Sequence, residues 1–551
     1  MTEAITLHEK DDVAVALKDL PIDSTVSVNG KEITLKADIQ AKHKFALKDF
    51  DQSDSVHMYG VTVGLTKFAI QKGEAITTAN LGHKSESFSV GEEAPSIHWM
   101  GPDVSKWEKS TFMGYHRSDG QVGTANYWLV FPLVFCENRN IETLKKAFES
   151  ALGFEKPDPY RSLLDGMVQK FKNNEPLNGS KGLDEFQVDA QQSKSPVFEN
   201  IDGIRFLTHQ GGCGGIRQDS QTLCQLLSGY VNNPNVAGAT VLSLGCQNAQ
   251  ISMFTDALRQ MNPNLDKPVI LMEQQDKGTE HELLSSAITE TFKGLVEANK
   301  LERTPAPLSK LVIGLECGGS DGFSGISANP SIGYTSDLLV ALGGKAILSE
   351  FPELCGVEQE LIDRMTTKES AEKFSQLMRS YEKSAVDAGS GFDMNPSPGN
   401  IKDGLITDAM KSAGAAKKGG TSPVVDILDY TEYATKPGLN LLCTPGNDVE
   451  STTGLAGSGA NIILFTTGLG TPTGNPITPV IKISSNTKMA NKMSDIIDID
   501  TGKVITGEKT IEEMGAEILD EILEIASGKK ATKAMMLEQY DFIPWKRGVS
   551  L

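Results

Sequence analysis

The sequence predicts an α/β protein in which a small β-rich domain precedes two domains with largely parallel sheets. Two patterns indicate this class. Over the first 85 or so residues, apolar and polar positions alternate, as in "STVSVNGKEITL", and such alternation is typical of half-buried strands. From Phe112 onward, helical stretches separate apolar runs that end abruptly in Gly, Cys, Ser, Thr or Asn. Strands that are buried on both faces and alternate with helices form parallel sheets.

The length of the chain indicates several domains. A chain of 551 residues is too long for one core and should divide into about three or four domains. We predict a β-rich domain at 1–85 and a linker at 86–110, where periodicity gives way to Pro, Gly and Ser. A second domain at 111–260 and a C-terminal domain at 261–551 follow.

Composition excludes several classes of protein. A hydrophobic content of 39% and a charged content of 23% are typical of a globular protein. The net charge of −20 opposes binding to nucleic acid or to an anionic membrane, because both require a basic face. No apolar run reaches the roughly 18 residues of a membrane span, and "MTEAITLHEKDD" does not resemble a signal peptide. We therefore expect a cytoplasmic protein. The sequence leaves open whether it forms a homo-oligomer.

Four cysteines end or closely follow strand-like runs, and they are Cys136, Cys213, Cys246 and Cys317. The seven cysteines contain no CxxC pair, so neither a disulfide framework nor a zinc finger is expected. In "HQGGCGG", "LGCQN" and "LECGGS" the neighbouring glycines allow close approach of the backbone and exposure of the thiol. The alternative is a buried structural cysteine. Thiolates near His209 would suit iron or zinc.

The loops after the predicted strands are candidate parts of one pocket. Ligands of parallel sheets bind beyond the carboxyl ends of the strands, so the loops after Leu207, Leu244, Leu315 and Leu442 should converge, with the N-terminal domain as a lid. The long polar loop "ECGGSDGFSGISANP" fits a functional segment. The glycine-rich "GLGTPTGNP" lacks a following Gly-Lys-Ser/Thr, which disfavours nucleotide binding.

Several stretches together resemble the altronate/galactarate dehydratase family. They are "HKFALKD", "GYHRSDGQVGTANYW", "LECGGSDGFSGISANP", "NPSPGN", "TPGND" and "FTTGLGTPTG", and they extend over nearly the whole chain. The resemblance implies an SAF-type first domain, activation by iron (Fe²⁺), and dehydration of six-carbon sugar acids to 2-keto-3-deoxy acids. "HKFALKD" and "SGISANP" are closest to the altronate branch, which implies conversion of D-altronate to 2-keto-3-deoxy-D-gluconate.

The resemblance also implies roles for individual residues. Acid and base roles are expected for His43, His209 and Asp321. The substrate is expected to contact cationic and polar side chains, namely Lys44, Arg117, Ser320, Ser324, Asn329, Glu350, Asn395 and Asp448. Iron is expected on Cys213, Cys246 and Cys317, with His209 nearby. Three thiolates could equally hold an iron–sulfur cluster with one open iron.

The chain also departs from the family's pattern. Gln247 replaces a Glu after "GLGC", Leu469 and Ala125 replace cations, and of an "HxHN" motif only Asn80 remains. The loss of two cations and one carboxylate near an anion pocket leaves two alternatives open. One is a lyase for another hydroxy acid, such as galactarate or a sulfonated acid. The other is a non-catalytic relative that binds a sugar acid or a metal.

Overall fold

The structure is a computed structural model that describes residues 2–92, 97–156, 158–177 and 195–550. Part of the predicted linker, residues 93–96, lies outside the described residues. Within the described ranges, no helix is both long enough and apolar enough to cross a membrane.

The N-terminal domain is β-rich, as predicted, and its described strands are short. They are β1 (Ala4–Ile5), β2 (Val13–Ala16), β3 (Thr25–Val28), β4 (Lys31–Thr34), β5 (Lys44–Ala46), β6 (Ser55–Met58), β7 (Val61–Thr66), β8 (Ala75–Ile76) and β9 (Leu81–Gly82). The strands form the antiparallel sheets β1-β2-β5-β8, β3-β4 and β6-β7-β9. Between β3 and β4, Asn29 and Gly30 both have positive φ, as a tight hairpin of this sequence requires.

The second domain is built on the parallel sheet β13-β12-β14-β15. Its elements are β10 (Thr111–His116), β11 (Val122–Gly123), β12 (Tyr127–Pro132), α1 (Asn138–Leu152), α2 (Pro159–Lys172), β13 (Gly203–Phe206), α3 (Arg217–Asn232), β14 (Val236–Ser243), α4 (Ile251–Met261), β15 (Val269–Glu273), α5 (Gln274–Lys277) and α6 (Glu280–Ala298). Because β15 pairs with β14, the predicted boundary after residue 260 falls inside this unit.

The C-terminal domain is built on the parallel sheet β19-β20-β18-β17-β21-β22-β23. Its elements are β16 (Thr304–Pro307), β17 (Val312–Cys317), α7 (Ala328–Ala341), β18 (Lys345–Leu348), α8 (Glu358–Ile362), α9 (Lys368–Asp387), α10 (Pro398–Lys402), α11 (Asp408–Ala416), β19 (Val424–Leu428), β20 (Gly438–Leu442), α12 (Asp448–Gly457), β21 (Ile462–Thr467), β22 (Val480–Ser484), α13 (Thr487–Lys492), β23 (Ile499–Asp500), α14 (Gly502–Thr506), α15 (Ile511–Ala526) and α16 (Lys533–Met536). Every residue of β17, β20 and β21 is buried, and the predicted α/β class with parallel sheets is confirmed.

The second and C-terminal domains are joined by strands and helices. Strand β10 pairs antiparallel with β16, and helix α3 approaches α12 at two glycines. A Cβ atom on Gly229 would lie 2.0 Å from the carbonyl oxygen of Gly457, so a larger residue would force the two helices apart. The Asn233 amide nitrogen donates hydrogen bonds of 2.9 Å to the carbonyl oxygens of Ala456 and Ala460. These contacts hold α12 against the second domain.

The N-terminal domain shares a hydrophobic core with the C-terminal domain. Side chains of its strands, among them Val15, Val56 and Val63, belong to the same buried cluster as Phe323 and Met410. Burial of apolar area of this kind stabilises a fixed arrangement of two domains. The N-terminal domain is therefore packed in place, which does not favour the expected mobile lid.

Candidate active site

Buried acidic side chains converge where strands β17 and β18 end. Cys317 ends β17, Glu350 lies two residues after β18, and Glu353 follows in the next turn. None of the three is more than 3% exposed. One ligand atom from each lies within 4.8 Å of the others, and they are the only such group of three found among the described residues. The carboxyl ends of neighbouring parallel strands thus bring a thiol and two carboxyl groups together, as the strand-then-loop pattern predicts.

Two lysines compensate the charge of this group. The Lys418 Nζ lies 2.8 Å from both the Cys317 Sγ and the Glu350 Oε2. The Lys411 Nζ donates to the Glu353 Oε1 at 2.6 Å and to the Asn395 Oδ1 at 2.8 Å. Burial opposes the charge of Lys418, but the neighbouring thiol and carboxylates raise its pKa well above the usual value. Burial also raises the pKa of the Cys317 thiol.

Glu350 is held in an unusual conformation. Its φ is +70°, in the left-handed region that residues other than glycine and asparagine rarely adopt. Its backbone nitrogen donates to the Thr444 Oγ1 at 2.9 Å, which ties the residue to the loop after β20. Its Oε1 atom is buried and has no hydrogen-bond partner in the structure. A strained backbone and an unpaired buried oxygen together are typical of a functional position.

Asp448 borders this group at the start of α12. A Cβ atom on Gly318 would lie 2.1 Å from the Asp448 Oδ2, so the carboxyl group lies directly against the residue after Cys317. Burial, and then the charges of Glu350 and Glu353, raise the pKa of Asp448 to about 7. A carboxyl group with a pKa near neutral pH can both accept and release a proton under physiological conditions. Unlike the side chains below it, Asp448 is partly exposed.

The N-terminal domain contributes a polar contact next to the loop that follows β17. The Lys42 Nζ lies 2.9 Å from both the Asp321 Oδ2 and the Asp403 Oδ1. The Lys44 Nζ is fully buried and donates to the carbonyl oxygens of Lys42 at 3.0 Å and Gly404 at 2.6 Å. Burial lowers the pKa of Lys44 to about 7. Lys44 thus lies in the interface between the N-terminal and C-terminal domains, where its ammonium group binds backbone carbonyl oxygens.

His43 lies between these two lysines. Its Nε2 atom is 3.0 Å from the carbonyl oxygen of Lys402, and burial lowers the pKa of the imidazole. The ring is half-buried and faces the segment that connects Asn395 to Gly404. The other ring nitrogen, Nδ1, remains available to a ligand in this arrangement only if the Nε2 atom carries the proton.

Asp321 and its neighbours form a hydrogen-bond network. The Asp321 Oδ1 accepts from the Ser324 Oγ at 2.9 Å and from the Ser485 Oγ at 2.8 Å. The carbonyl oxygen of Ser320 accepts from the Asn400 Nδ2 at 2.7 Å. Since the carboxyl group of Asp321 is fully buried and bound on both oxygens, its contacts hold loops and the N-terminal domain together.

Three other predicted residues also bond to the protein itself. The Asn329 side chain bonds to the Gly414 carbonyl oxygen and the Thr466 hydroxyl group. Arg117 lies in the second domain, where it donates to the Pro234 carbonyl oxygen at 2.8 Å. For His209, the Nε2 lies 2.8 Å from the Pro132 carbonyl oxygen, and the Nδ1 accepts from the Gly211 nitrogen at 3.1 Å. Burial lowers the pKa of His209 to about 4, so its neutral ring is held on both nitrogens by backbone.

The structure does not bring the three expected thiol ligands together. Cys317 is buried in the C-terminal sheet, whereas Cys213 and Cys246 are exposed at the end of the second domain's sheet. The Gln247 side chain, next to Cys246, forms hydrogen bonds within its own segment. Its Oε1 accepts from the Gly245 nitrogen and its Nε2 donates to the Ser243 Oγ, both at 2.6 Å. The Gln247 side chain therefore binds to the residues that precede it at the end of β14.

A cavity of about 580 Å³ lies between the second and C-terminal domains. The loop after Leu207 lines one side, and Cys213 is part of that lining. Tyr430, Glu450 and Trp545 line the side formed by the C-terminal domain. Because α12 carries Asp448 at its start and Glu450 one half-turn later, the cavity and the buried acidic group lie against the same helix.

Three residues of the buried site lie outside the sequence prediction, namely Glu353, Lys411 and Lys418. Glu353 lies in "FPELCG", three residues after the predicted site residue Glu350. Its place in the same strand-end loop could have identified it as a site residue from the sequence. The lysines lie in α11 and the turn after it. A lysine in a helical pattern usually indicates an exposed face, and only the tertiary structure shows these two to be buried.

Comparison with known protein families covers almost the whole chain. A model described as "Altronate/galactarate dehydratase SAF domain" matches residues 2–84. The model "D-galactarate dehydratase/Altronate hydrolase, second domain" matches residues 114–299. The model "D-galactarate/Altronate dehydratase, C-terminal" matches residues 308–550.

Individual relatives match at similar levels. The chain is 32% identical to altronate dehydratase of Escherichia coli (strain K12), with 99% of both chains covered. It is also 32% identical to altronate dehydratase of Bacillus subtilis (strain 168), with 96% of both chains covered. Galactarate dehydratase (L-threo-forming) of Escherichia coli (strain K12) is 31% identical, over 96% of this chain and 93% of the relative.

The buried charge compensation can be tested with Lys418→Met. We expect the change to lower the free energy of unfolding by about 3–5 kcal/mol, because Cys317 and Glu350 would keep a buried acidic pair without its cation. The matched control is Lys417→Met, since the Lys417 side chain is 36% exposed and its ion pair with Glu360 is 3.5 Å long. Lys417→Met should lower the free energy of unfolding by less than about 1 kcal/mol. Urea unfolding followed by circular dichroism measures both, and equal midpoints for the two variants would contradict the compensation.

Proposed function

Because this chain belongs to the altronate/galactarate dehydratase family, we propose that it removes water from D-altronate to give 2-keto-3-deoxy-D-gluconate. The family establishes a hydro-lyase that acts on a sugar acid. The observation that supports a catalytic chain is the arrangement of Asp448, Lys411 and Asn395 at the mouth of the buried acidic group. The same arrangement opposes the alternative of a non-catalytic relative, because a proton carrier with a pKa of about 7 is retained.

The chemistry requires two kinds of help. Loss of water from a 2,3-dihydroxy acid begins with removal of a weakly acidic proton beside the carboxylate, and a hydroxide must then leave from the next carbon. Asp448 is ionised above about pH 7 and lies at the surface of the site, so it can take that proton. Lys411 carries a raised pKa and remains an ammonium beside Asn395, where it favours the substrate carboxylate. The charged network below fixes these groups in position.

We also propose that the protein binds iron. Of the three expected cysteine ligands, two fit this role better than the third. The Cys317 sulfur is a poor fit, because the Lys418 ammonium already lies 2.8 Å from it and the site carries compensating lysines. Cys213 and Cys246 are a better fit, because their thiols are exposed and glycines flank them. Bound there, iron would supply a Lewis acid for the carboxylate and the hydroxyl groups of the substrate.

A substrate screen tests the proposed function. Anaerobically purified protein supplied with ferrous iron is incubated with D-altronate, galactarate and sulfolactate, and formation of 2-keto acid is measured. We expect D-altronate to be the preferred substrate. Preference for galactarate would assign the chain to the galactarate branch of the family. The 31% identity to galactarate dehydratase is the reason for including this acid. No turnover of any acid would support the non-catalytic alternative.

The role of Asp448 predicts a pH dependence. Its pKa is raised to about 7, so the group is protonated below that pH and turnover should fall as the pH decreases through this value. Asp448→Asn should lower kcat by roughly 100-fold or more and remove this acid limb, because an amide cannot take the proton. Asp387→Asn, an exposed change in α9, is the control and should leave the profile unchanged. An unchanged acid limb in Asp448→Asn would exclude Asp448 as the titrating group.

The expected role of His43 gives a second test. His43→Ala should lower turnover by roughly 100-fold, the scale of a lost general acid or base, and leave the iron content unchanged. The exposed His281 of α6 provides the control His281→Ala, which should keep full activity. Turnover near that of the unaltered protein in His43→Ala would mean that the imidazole serves only its contact with the Lys402 carbonyl oxygen.

A further inference from the structure

Glu316 is a buried carboxyl group to which the proposed chemistry assigns no part. It lies in β17 immediately before Cys317, as the first residue of "ECGGSDGFSGISANP", and its side chain is fully buried. Its Oε1 atom has no hydrogen-bond partner among the described residues. Burial, and then the charge of Glu350, raise the pKa of Glu316 well above the usual value. Because an apolar side chain of similar volume would avoid this cost, stability alone does not explain the carboxyl group.

Hydroxyl groups from two other segments donate to the second oxygen of Glu316. The Ser451 Oγ of α12 donates to the Glu316 Oε2 at 2.5 Å, and the Ser349 Oγ, just after β18, donates to the same atom at 2.9 Å. The Thr444 Oγ1, in the loop after β20, donates to the Ser451 Oγ at 3.0 Å. The chain of donors from Thr444 through Ser451 therefore ends on Glu316, which supplies the acceptor.

These bonds fix the first turn of α12. The helix begins at Asp448, and Ser451 lies three residues later, on the face that contacts β17. Since residues three apart are neighbours on one helix face, an anchor at Ser451 also fixes the position of Asp448. The last turn is held separately, by the bonds of the Asn233 amide to the carbonyl oxygens of Ala456 and Ala460. The helix is thus held at both ends, and its first-turn anchor lies beside the site.

We propose that Glu316 is a positioning residue that holds Asp448 at the mouth of the buried acidic group by accepting the Ser451 hydroxyl group. This inference rests on the proposed function, in which Asp448 takes a proton from the substrate. Glu316 itself does not touch the substrate, because its side chain is fully buried. A displacement of about 1 Å at a reacting group can lower a rate about 100-fold, so a bond that holds one helix turn is sufficient for a large effect.

The surroundings of Asp448 make its position measurable. Burial, and then the charges of Glu350 and Glu353, raise the pKa of Asp448 to about 7. When the first turn of α12 moves outward, both causes weaken, and the pKa falls towards its usual range. The acid limb of the pH profile then moves to lower pH. The charged and titratable groups that face Asp448 or Glu316 from the packed elements are Glu350, Glu353, Lys411, Lys418 and Lys482.

Glu316→Leu and Glu316→Gln separate the acceptor from the rest of the side chain. Glu316→Leu should lower kcat roughly 10- to 100-fold with little change in KM, and it should move the acid limb to lower pH. The urea midpoint should not fall, since Ser451 can then donate to the Ser349 Oγ at 2.9 Å and Ser349 to the Leu315 carbonyl oxygen at 3.1 Å. Glu316→Gln keeps a carbonyl oxygen as acceptor and should keep kcat within about 3-fold.

Ser451→Ala tests the same bond from α12, and it decides the question also if Glu316→Leu does not fold. It should lower kcat and move the acid limb as Glu316→Leu does, and the double variant should lose no more than either single variant. The matched control is Ser336→Ala, because the Ser336 hydroxyl group in α7 is buried and has no hydrogen-bond partner within the described ranges. Ser336→Ala should keep kcat and the pH profile. Full activity in Glu316→Leu or Ser451→Ala would overturn the proposal, and so would a Glu316→Gln variant as inactive as Glu316→Leu.

Hydrogen exchange separates the anchor from the proposed function. The amide groups of residues 448–453 should exchange faster in Glu316→Leu and Ser451→Ala than in Glu316→Gln, Ser336→Ala or the unaltered protein, because the turn loses its anchor. This result in a protein that turns over no sugar acid would contradict the proposed function and leave the anchor standing. Unchanged exchange in both variants would overturn the anchor and leave the dehydratase standing.

Discussion

The position of the Lys418 ammonium is the constraint on which the C-terminal site depends. Cys317, Glu350 and Glu353 lie out of contact with water, and burial of such groups is very unfavourable without a cation. Helix α7 places that cation, because a Cβ atom on Gly333 would lie 2.0 Å from the Lys417 carbonyl oxygen. A glycine in the middle of a helix costs stability, and here it allows the turn that carries Lys418 to approach the strand ends. The close contact between Gly333 and Lys417 thus also positions the ammonium group that compensates the buried acidic side chains.

Both α/β domains follow the same geometry and yield different chemistry. In each, the loops that follow parallel strands meet at one edge of the sheet. In the C-terminal domain these loops carry carboxyl groups and lysines, which can hold and move protons. In the second domain they carry exposed thiols and glycines, which suit a soft metal. Helix α12 contacts both regions, since Asp448 borders the buried group and Glu450 lines the cavity.

The sequence predicted what depends on local pattern. Strand-end loops could be identified by their abrupt change from apolar to small polar residues, and Cys317, Glu350 and Asp448 lie in such stretches, whereas Asn395 follows only from the resemblance of "NPSPGN" to the family. What could not be predicted was which loops meet, because that depends on strand order. Cys317 was therefore grouped with Cys213 and Cys246, although strand β17 belongs to a different sheet. The bonds of His209 to two backbone groups likewise exist only in the folded chain.

The packing of the N-terminal domain changes how His43 would contribute. A mobile lid needs a small polar interface, but Phe323 and Met410 of the C-terminal domain lie in the hydrophobic core of the N-terminal domain. Lys42 has a φ of +77°, and glycines at 322 and 404 leave room for its carbonyl oxygen. Lys44 then bonds to that oxygen from inside the interface. A residue between two positions fixed in this way is preorganised, so the imidazole would be in place before the substrate binds.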